Sequence, residues 1–245
     1  MKSPYYSKFF ENRTDSVESA KRIVPIMMQL VRPKSIVDVG CANGELLQVC
    51  REKGVRDVFG IDGPWVQKKN LRIPENLFMP ADLEKPVRIG RTFDLVISME
   101  VAEHLHEQAA KTFVDTLTGL GPVILFSAAI PLQSGANHLN EQWPEYWKKL
   151  FDRKGYVLVD CIRRRLWDDN DVTFWYAQNS FLYVRKDYLK KDKTLRKEFE
   201  TSPPFPLTAI HPKIYLTYAR LFRPLIKITP YRVKRVMVRL FKVRK

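Results

Sequence analysis

Three cysteines, Cys41, Cys50 and Cys161, are all the chain has. Their odd number and lack of paired spacing exclude a disulfide framework and a thiolate metal site, so a reducing, cytoplasmic setting is expected. No run of about 18 apolar residues occurs, and Met1-Lys2-Ser3-Pro4-Tyr5-Tyr6 opens no apolar stretch with a cleavage site. Neither a signal peptide nor a membrane span is therefore expected. None of the ten glycines falls into a Gly-x-Gly-x-x-Gly series, the order that lets backbone approach a pyrophosphate in dinucleotide folds. Acids are missing from residues 201–245, which hold 11 of the 42 Lys+Arg. The remainder has 31 cations against 27 acids, so most of the net charge of +15 sits in the tail and cannot name the substrate of the body.

What is present suits one α/β domain with an appendage. The chain has 245 residues, 45% of them hydrophobic, enough for a core that offsets chain entropy. Short β-branched runs alternate with helical patterns, the signature of βαβ units. Strands are expected at Ser35–Val39, Val55–Ile61, Phe93–Ser98, Val123–Ser127, Tyr156–Ile162 and Ser180–Arg185, the first four apolar enough to be central. Helices are expected at Ser16–Val31, Gly44–Lys53, Val101–Leu117 and Trp143–Lys154, with Gly54 and Gly155 as stops. Thr201 to Pro206 interrupts any helix. The catalytic body is expected over residues 1–190, with 1–15 as a candidate lid, and a basic, proline-interrupted extension over 191–245.

The most informative stretch is Ser35-Ile-Val-Asp38-Val-Gly40-Cys41-Ala42-Asn43-Gly44-Glu45. A strand ends in an acid, and two glycines follow where backbone must turn and approach a ligand. About twenty residues on, Val58-Phe59-Gly60-Ile61-Asp62 places a second carboxylate where such folds receive ribose hydroxyls. A third acid, Asp82, precedes the strand at Phe93. Together these resemble the class I methyltransferases that use S-adenosylmethionine (AdoMet), over about residues 15–185. The resemblance implies a Rossmann-like, mostly parallel seven-stranded sheet with helices on both faces. It assigns AdoMet to Asp38, Gly40, Cys41, Gly44, Asp62, Asp82, Leu83 and Met99. Ala42 departs from the pattern, standing where many members have glycine.

After the strand at Phe93 comes Met99-Glu100-Val101-Ala102-Glu103-His104. On a helix, Glu100, Glu103 and His104 would share one face. With the later His138 they could gather Mg²⁺ or Mn²⁺, or His104, His138 and Glu103 could act as proton acceptors without a metal. The pattern resembles the Glu-x-x-Glu-His of ubiquinone-pathway O-methyltransferases and small-RNA 2′-O-methyltransferases, which implies a metal that draws a substrate hydroxyl toward the donor.

Two clusters mix aromatic and hydrogen-bonding side chains: His138-Leu-Asn140-Glu-Gln142-Trp143 and Trp175-Tyr176-Ala-Gln178-Asn179. Indole faces stack on sugar C–H groups while amides address hydroxyls, which favours a carbohydrate acceptor over a lipid. The clusters also resemble methyltransferases associated with glycan and polysaccharide synthesis. The expected reaction is O-methylation of a glycan or lipid-linked glycan hydroxyl. Standing beside it are RNA 2′-O-methylation, a phenol or quinone acceptor, and an AdoMet-binding scaffold without turnover. In the tail, Val233–Lys242 sets apolar and cationic positions on two stripes. Contact with an anionic membrane and contact with nucleic acid are its two expected uses.

Overall fold

The computed structural model describes residues 14–133, 135–202 and 206–228. Most of the candidate lid and the helix expected at Val233–Lys242 lie outside the described residues. The chain divides into one compact unit up to Ala209 and a second from Ile210 onward.

In the first unit, α1 (Thr14–Leu30) leads into β1 (Ser35–Val39), α2 (Glu45–Glu52) and β2 (Asp57–Asp62). There follow β3 (Phe78–Pro80), β4 (Leu95–Met99), α3 (Ala110–Leu120), β5 (Val123–Ser127) and α4 (Pro144–Asp152). The series closes with β6 (Tyr156–Val159), α5 (Arg163–Leu166), α6 (Phe174–Asn179), β7 (Phe181–Arg185), α7 (Lys186–Lys191) and α8 (Lys193–Thr201). Seven strands form one sheet in the order β3-β2-β1-β4-β5-β7-β6. The pairings among β1 to β5 are parallel, and β7 runs antiparallel to both β5 and β6.

Alternation along the strands feeds two cores. Ile36, Val58 and Leu95 face α1 and α2, while Val37, Ile61 and Val96 face Phe113, Leu117 and the α4 residues Trp147 and Phe151. Burial on both faces explains why these strands read as near-continuous apolar runs. The strand absent from the sequence reading is β3, three residues ending at Pro80 and paired to Gly60–Asp62. It is too short for a period-2 pattern, and its proline is acceptable because β3 is an edge strand.

One further expectation is corrected. The helix over Val101–Leu117 is replaced by two 3₁₀ turns, Ala102–His104 and Glu107–Ala109, before α3 begins at Ala110. Glu100 sits at φ +54°, its N–H reaching the Ser127 carbonyl at 3.1 Å as if prolonging the sheet. His106 gives both its N–H and a ring nitrogen to Glu84. These long-range bonds outweigh local helix preference. The first compact unit runs to Ala209. Leu189 of α7 and Leu195 of α8 join the core. Arg163, fully buried, pairs with Asp160, lies 4.3 Å over the Phe181 ring, and donates to the carbonyls of Leu207 (3.0 Å) and Pro206 (3.2 Å).

Tyr156 ties β6 to the end of α3, its buried hydroxyl 2.6 Å from the Gly121 carbonyl. Burial pushes its pKa up to about 12, so it stays a donor across the working range. Tyr156→Phe is expected to cost about 1 kcal/mol, read as a lower urea midpoint with an unchanged slope.

Candidate active site

The main cavity opens at the carboxyl ends of β1, β2 and β4, where the strand order reverses and ligands of open α/β sheets bind. The β1–α2 turn forms one wall. Gly40 at φ +89° and Gly44 at φ +87° take left-handed backbone, and the N–H groups of Gly40 and Cys41 both return to the Ile61 carbonyl. Ala42 holds a left-handed φ of +48°, at a cost of about 1–2 kcal/mol for a residue with a Cβ. Its N–H is fixed by Asp62 Oδ2 at 2.7 Å, and Gly63 N–H reaches Asp62 Oδ1 at 2.6 Å. The second strand's acid thus builds the turn as well as facing the cavity.

Of the expected cofactor residues, the cavity gathers Asp38, Gly40, Cys41, Asp62, Leu83 and Met99. Gly44 stands behind the wall, where an added Cβ would meet Ile73 at 3.3 Å. Asp82 turns outward: its side chain is 51% exposed, pairs with Lys85 at 3.2 Å and accepts from the Glu84 N–H. Residues not expected to hold the cofactor complete the lining, among them Ile23 of α1, Ala42, Glu45, Trp65 and Asn137. Trp65 follows Asp62 by three positions and folds back over Gly63. An aromatic so close to a candidate ribose acid was a usable signal. Ile23, far away in sequence, left none.

Asp38, Glu45, Asp62 and Glu100 give the lining a strongly acidic balance. Burial, and then the charges of Asp62 and Glu45, hold the Asp38 carboxyl well above the usual range. Its anion is disfavoured in the free protein and favoured by a cationic ligand, so binding a sulfonium releases a proton. Affinity for such a ligand is expected to fall as pH drops through the raised Asp38 pKa, by up to about tenfold per unit. Calorimetry in buffers of different ionisation enthalpy measures the release. Without ligand the sign reverses: Asp38 costs stability above its unfolded pKa, and the cost vanishes below it.

Glu103, His104 and His138 bring one donor atom each within 4.8 Å of one another. Glu103 is 0% exposed, and neither of its carboxylate oxygens closes a hydrogen bond among the described residues. Burial and the neighbouring Glu100 raise its pKa well above the carboxylate range, while its own N–H and that of Ala129 pull the other way. The His104 and His138 rings meet edge to face with centroids 4.9 Å apart. His138 Nδ1 lies 2.8 Å from Glu141 Oε1, and His104 Nδ1 lies 3.3 Å from the Asn137 carbonyl. Both carry oxygen partners on Nδ1, the arrangement that leaves Nε2 as the basic nitrogen.

Glu100 lines the cavity but is not in this group. Its Oε2 accepts from Gln133 Nε2 at 2.9 Å and its Oε1 from Asn179 Nδ2 at 3.2 Å. The shared helical face that suggested it as a fourth ligand is lost with the helix.

The expected substrate residues divide. Tyr176 lines the cavity. Gln178 and Asn179, each 2% exposed, point inward; Gln178 donates to Asn179, and Asn179 to Gln133 and Glu100. Their polarity serves a buried network. Trp175 packs partly buried against the core. Asn140 is buried, its Oδ1 accepting from Gln142 Nε2 at 3.0 Å. Trp143, 40% exposed, remains on the surface before α4.

Comparison with known proteins places this geometry. A family described as "Methyltransferase domain" matches residues 13–152. A ubiquinone biosynthesis O-methyltransferase of Methylobacterium sp. (strain 4-46) is 35% identical over 105 residues, 39% of this chain and 40% of that protein. The match thus spans well under half of that relative's length. Among solved structures, the sugar N-methyltransferase KedS8 from Streptoalloteichus sp. ATCC 53650 superposes with a TM-score of 0.55 at 14% identity, over 76% of this chain and 94% of that one. Magnesium protoporphyrin IX methyltransferase from Synechocystis PCC 6803, solved with bound SAM, gives 0.52 at 16%, over 75% and 92%. At such identities the two structures share the fold.

Proposed function

The chain belongs to the methyltransferase-domain family and uses AdoMet as its donor, and from that premise we propose that it methylates a hydroxyl oxygen of a carbohydrate acceptor. The observation that carries the reading is the convergence of Glu103, His104 and His138 next to the acid-lined cavity. A sugar hydroxyl is a weak acid, so its proton must leave as the oxygen attacks. The methyl carbon's bond to sulfur breaks as its bond to the acceptor oxygen forms, and the hydroxyl proton passes to the basic Nε2 of His138 or His104. Glu141 holds the His138 ring and stabilises the imidazolium. Asp38, Asp62 and the glycine turn hold the donor, and Trp65 and Tyr176 help exclude water.

The residues also fit a divalent cation, because the buried Glu103 carboxyl, without a well-formed hydrogen bond among the described residues, ionises only beside a compensating charge. Glu103, His104 and His138 would hold it, and when bound it would lower the pKa of the acceptor hydroxyl. Two nitrogens and one carboxylate suit Mn²⁺ better than Mg²⁺, which prefers oxygen ligands. Carbohydrate is favoured as acceptor by Trp143, whose side chain is 40% exposed. The stretch 35% identical to a ubiquinone O-methyltransferase favours a second reading, a phenolic acceptor for the same machinery.

Methyl-labelled AdoMet offered with oligosaccharides, nucleotide sugars, catechols and RNA decides between them. Stable methyl ether on a sugar is the expected product. Label on catechol alone would replace the carbohydrate reading, and label on RNA alone would replace both. Chelation by EDTA with Mn²⁺ or Mg²⁺ rescue tests the cation, and unchanged turnover removes it from the reaction.

A further inference from the structure

The second unit has its own chemistry. Its helix α9 (Pro212–Ile228), sequence PKIYLTYARLFRPLIKI, contains four cations and no acid. At 100° per residue, Lys213, Arg220, Arg223 and Lys227 all fall within an arc of roughly a quarter turn. Ile214, Tyr215, Tyr218, Leu221, Phe222, Leu225 and Ile226 occupy positions on the other side of the wheel. Large apolar side chains are nevertheless left in water: Tyr215 on the apolar arc is 68% exposed, Leu216, which lies among the cations on the wheel, 47%, and Ile210, just before the helix, 48%. Seven more cations and no acid follow in residues 229–245.

We propose that α9 is an interfacial anchor that seats the chain on an anionic phospholipid surface. A narrow cationic stripe beside a broad apolar arc is the pattern of a helix lying in the headgroup plane, cations at lipid phosphates and apolar groups at the acyl boundary. Charge complementarity selects the occupant. A nucleic acid would use the same cations and stack a base on a tyrosine, but it gives no partner to the exposed aliphatic side chains of Ile210 and Leu216. Spanning is excluded for the described helices, none of which is long and apolar enough to cross a bilayer. The helix therefore binds at the surface.

The test uses the full chain with phosphatidylcholine vesicles, with and without phosphatidylglycerol, in a sedimentation assay. Binding is expected to rise at least tenfold with the anionic lipid and to fall with salt. Tyr215→Ser/Leu216→Ser keeps the charge and should lower binding severalfold. Lys213→Glu/Arg220→Glu should lower it at least tenfold. Unchanged calorimetric affinity for S-adenosylhomocysteine would show that both variants remain folded, and that readout is independent of the vesicles. Failure to sediment with anionic vesicles overturns the proposal. So does preference for RNA over vesicles with Tyr215→Ser/Leu216→Ser unaffected, which would assign the cations to nucleic acid.

Discussion

Gly40→Ala is expected to weaken AdoMet binding by at least a hundredfold. A Cβ there would lie 2.2 Å from Val101 Cγ2 and 2.7 Å from Cγ1, on backbone at φ +89°. The left-handed conformation alone costs an L-residue about 1–2 kcal/mol, and the overlap adds to it because Val101 sits in the packed core. Val101 also lines the cavity, so relief of the clash must reshape either the turn or the wall opposite. Gly54 is the control. It has a similar φ of +96° but open space around its Cβ position, so Gly54→Ala should lower stability through strain and leave the cofactor alone. Calorimetry with S-adenosylhomocysteine, beside thermal melts of both variants, separates the two effects. A Gly40→Ala protein binding within threefold of wild type would refute the assigned turn.

Glu103→Leu is expected to move stability and activity in opposite directions. Its carboxyl is buried and closes no well-formed hydrogen bond among the described residues, and a poorly satisfied buried polar group costs about 1–3 kcal/mol. An apolar side chain of similar volume removes that cost. The backbone carbonyl that anchors the Leu139 and Asn140 N–H groups is untouched. The melting temperature of the metal-free protein should therefore rise. Turnover should fall at least a hundredfold, as a site that depends on this group loses acid–base function or cation affinity. S-adenosylhomocysteine affinity should stay within a few fold. Loss of stability together with full activity would make Glu103 a structural residue and remove the proposed chemistry from this corner.

The elements legible in advance carried complete local signals. The strands Ser35–Val39 and Val123–Ser127 were readable to the residue, because both faces are buried and the apolar run has clear ends. The turn from Asp38 to Gly44 was legible because its glycines occupy positions where the backbone is left-handed. The extra departure at Ala42 was also visible, and the structure gives its reason: Asp62 holds that strained residue by its N–H. Glu100, Gln178 and Asn179 were read less well. Glu100 was expected as a metal ligand and Gln178 and Asn179 as acceptor contacts, and Gln133 joins Glu100 to Asn179 in one buried network. No spacing along the chain announces a partner 46 or 79 positions away.

Sequence alone determined the alternation of strands and helices, the acid and glycines of the turn after β1, and the concentration of charge in the tail, since each follows from local periodicity or composition. Tertiary structure decided which polar groups face the cavity. Glu103 gathers with His104 and His138 only because the chain after β4 abandons the helix its local pattern favours, held by Ser127 across the sheet and by Glu84 from another loop. Side-chain direction there is set by hydrogen bonds between distant segments, and a linear pattern holds no record of them.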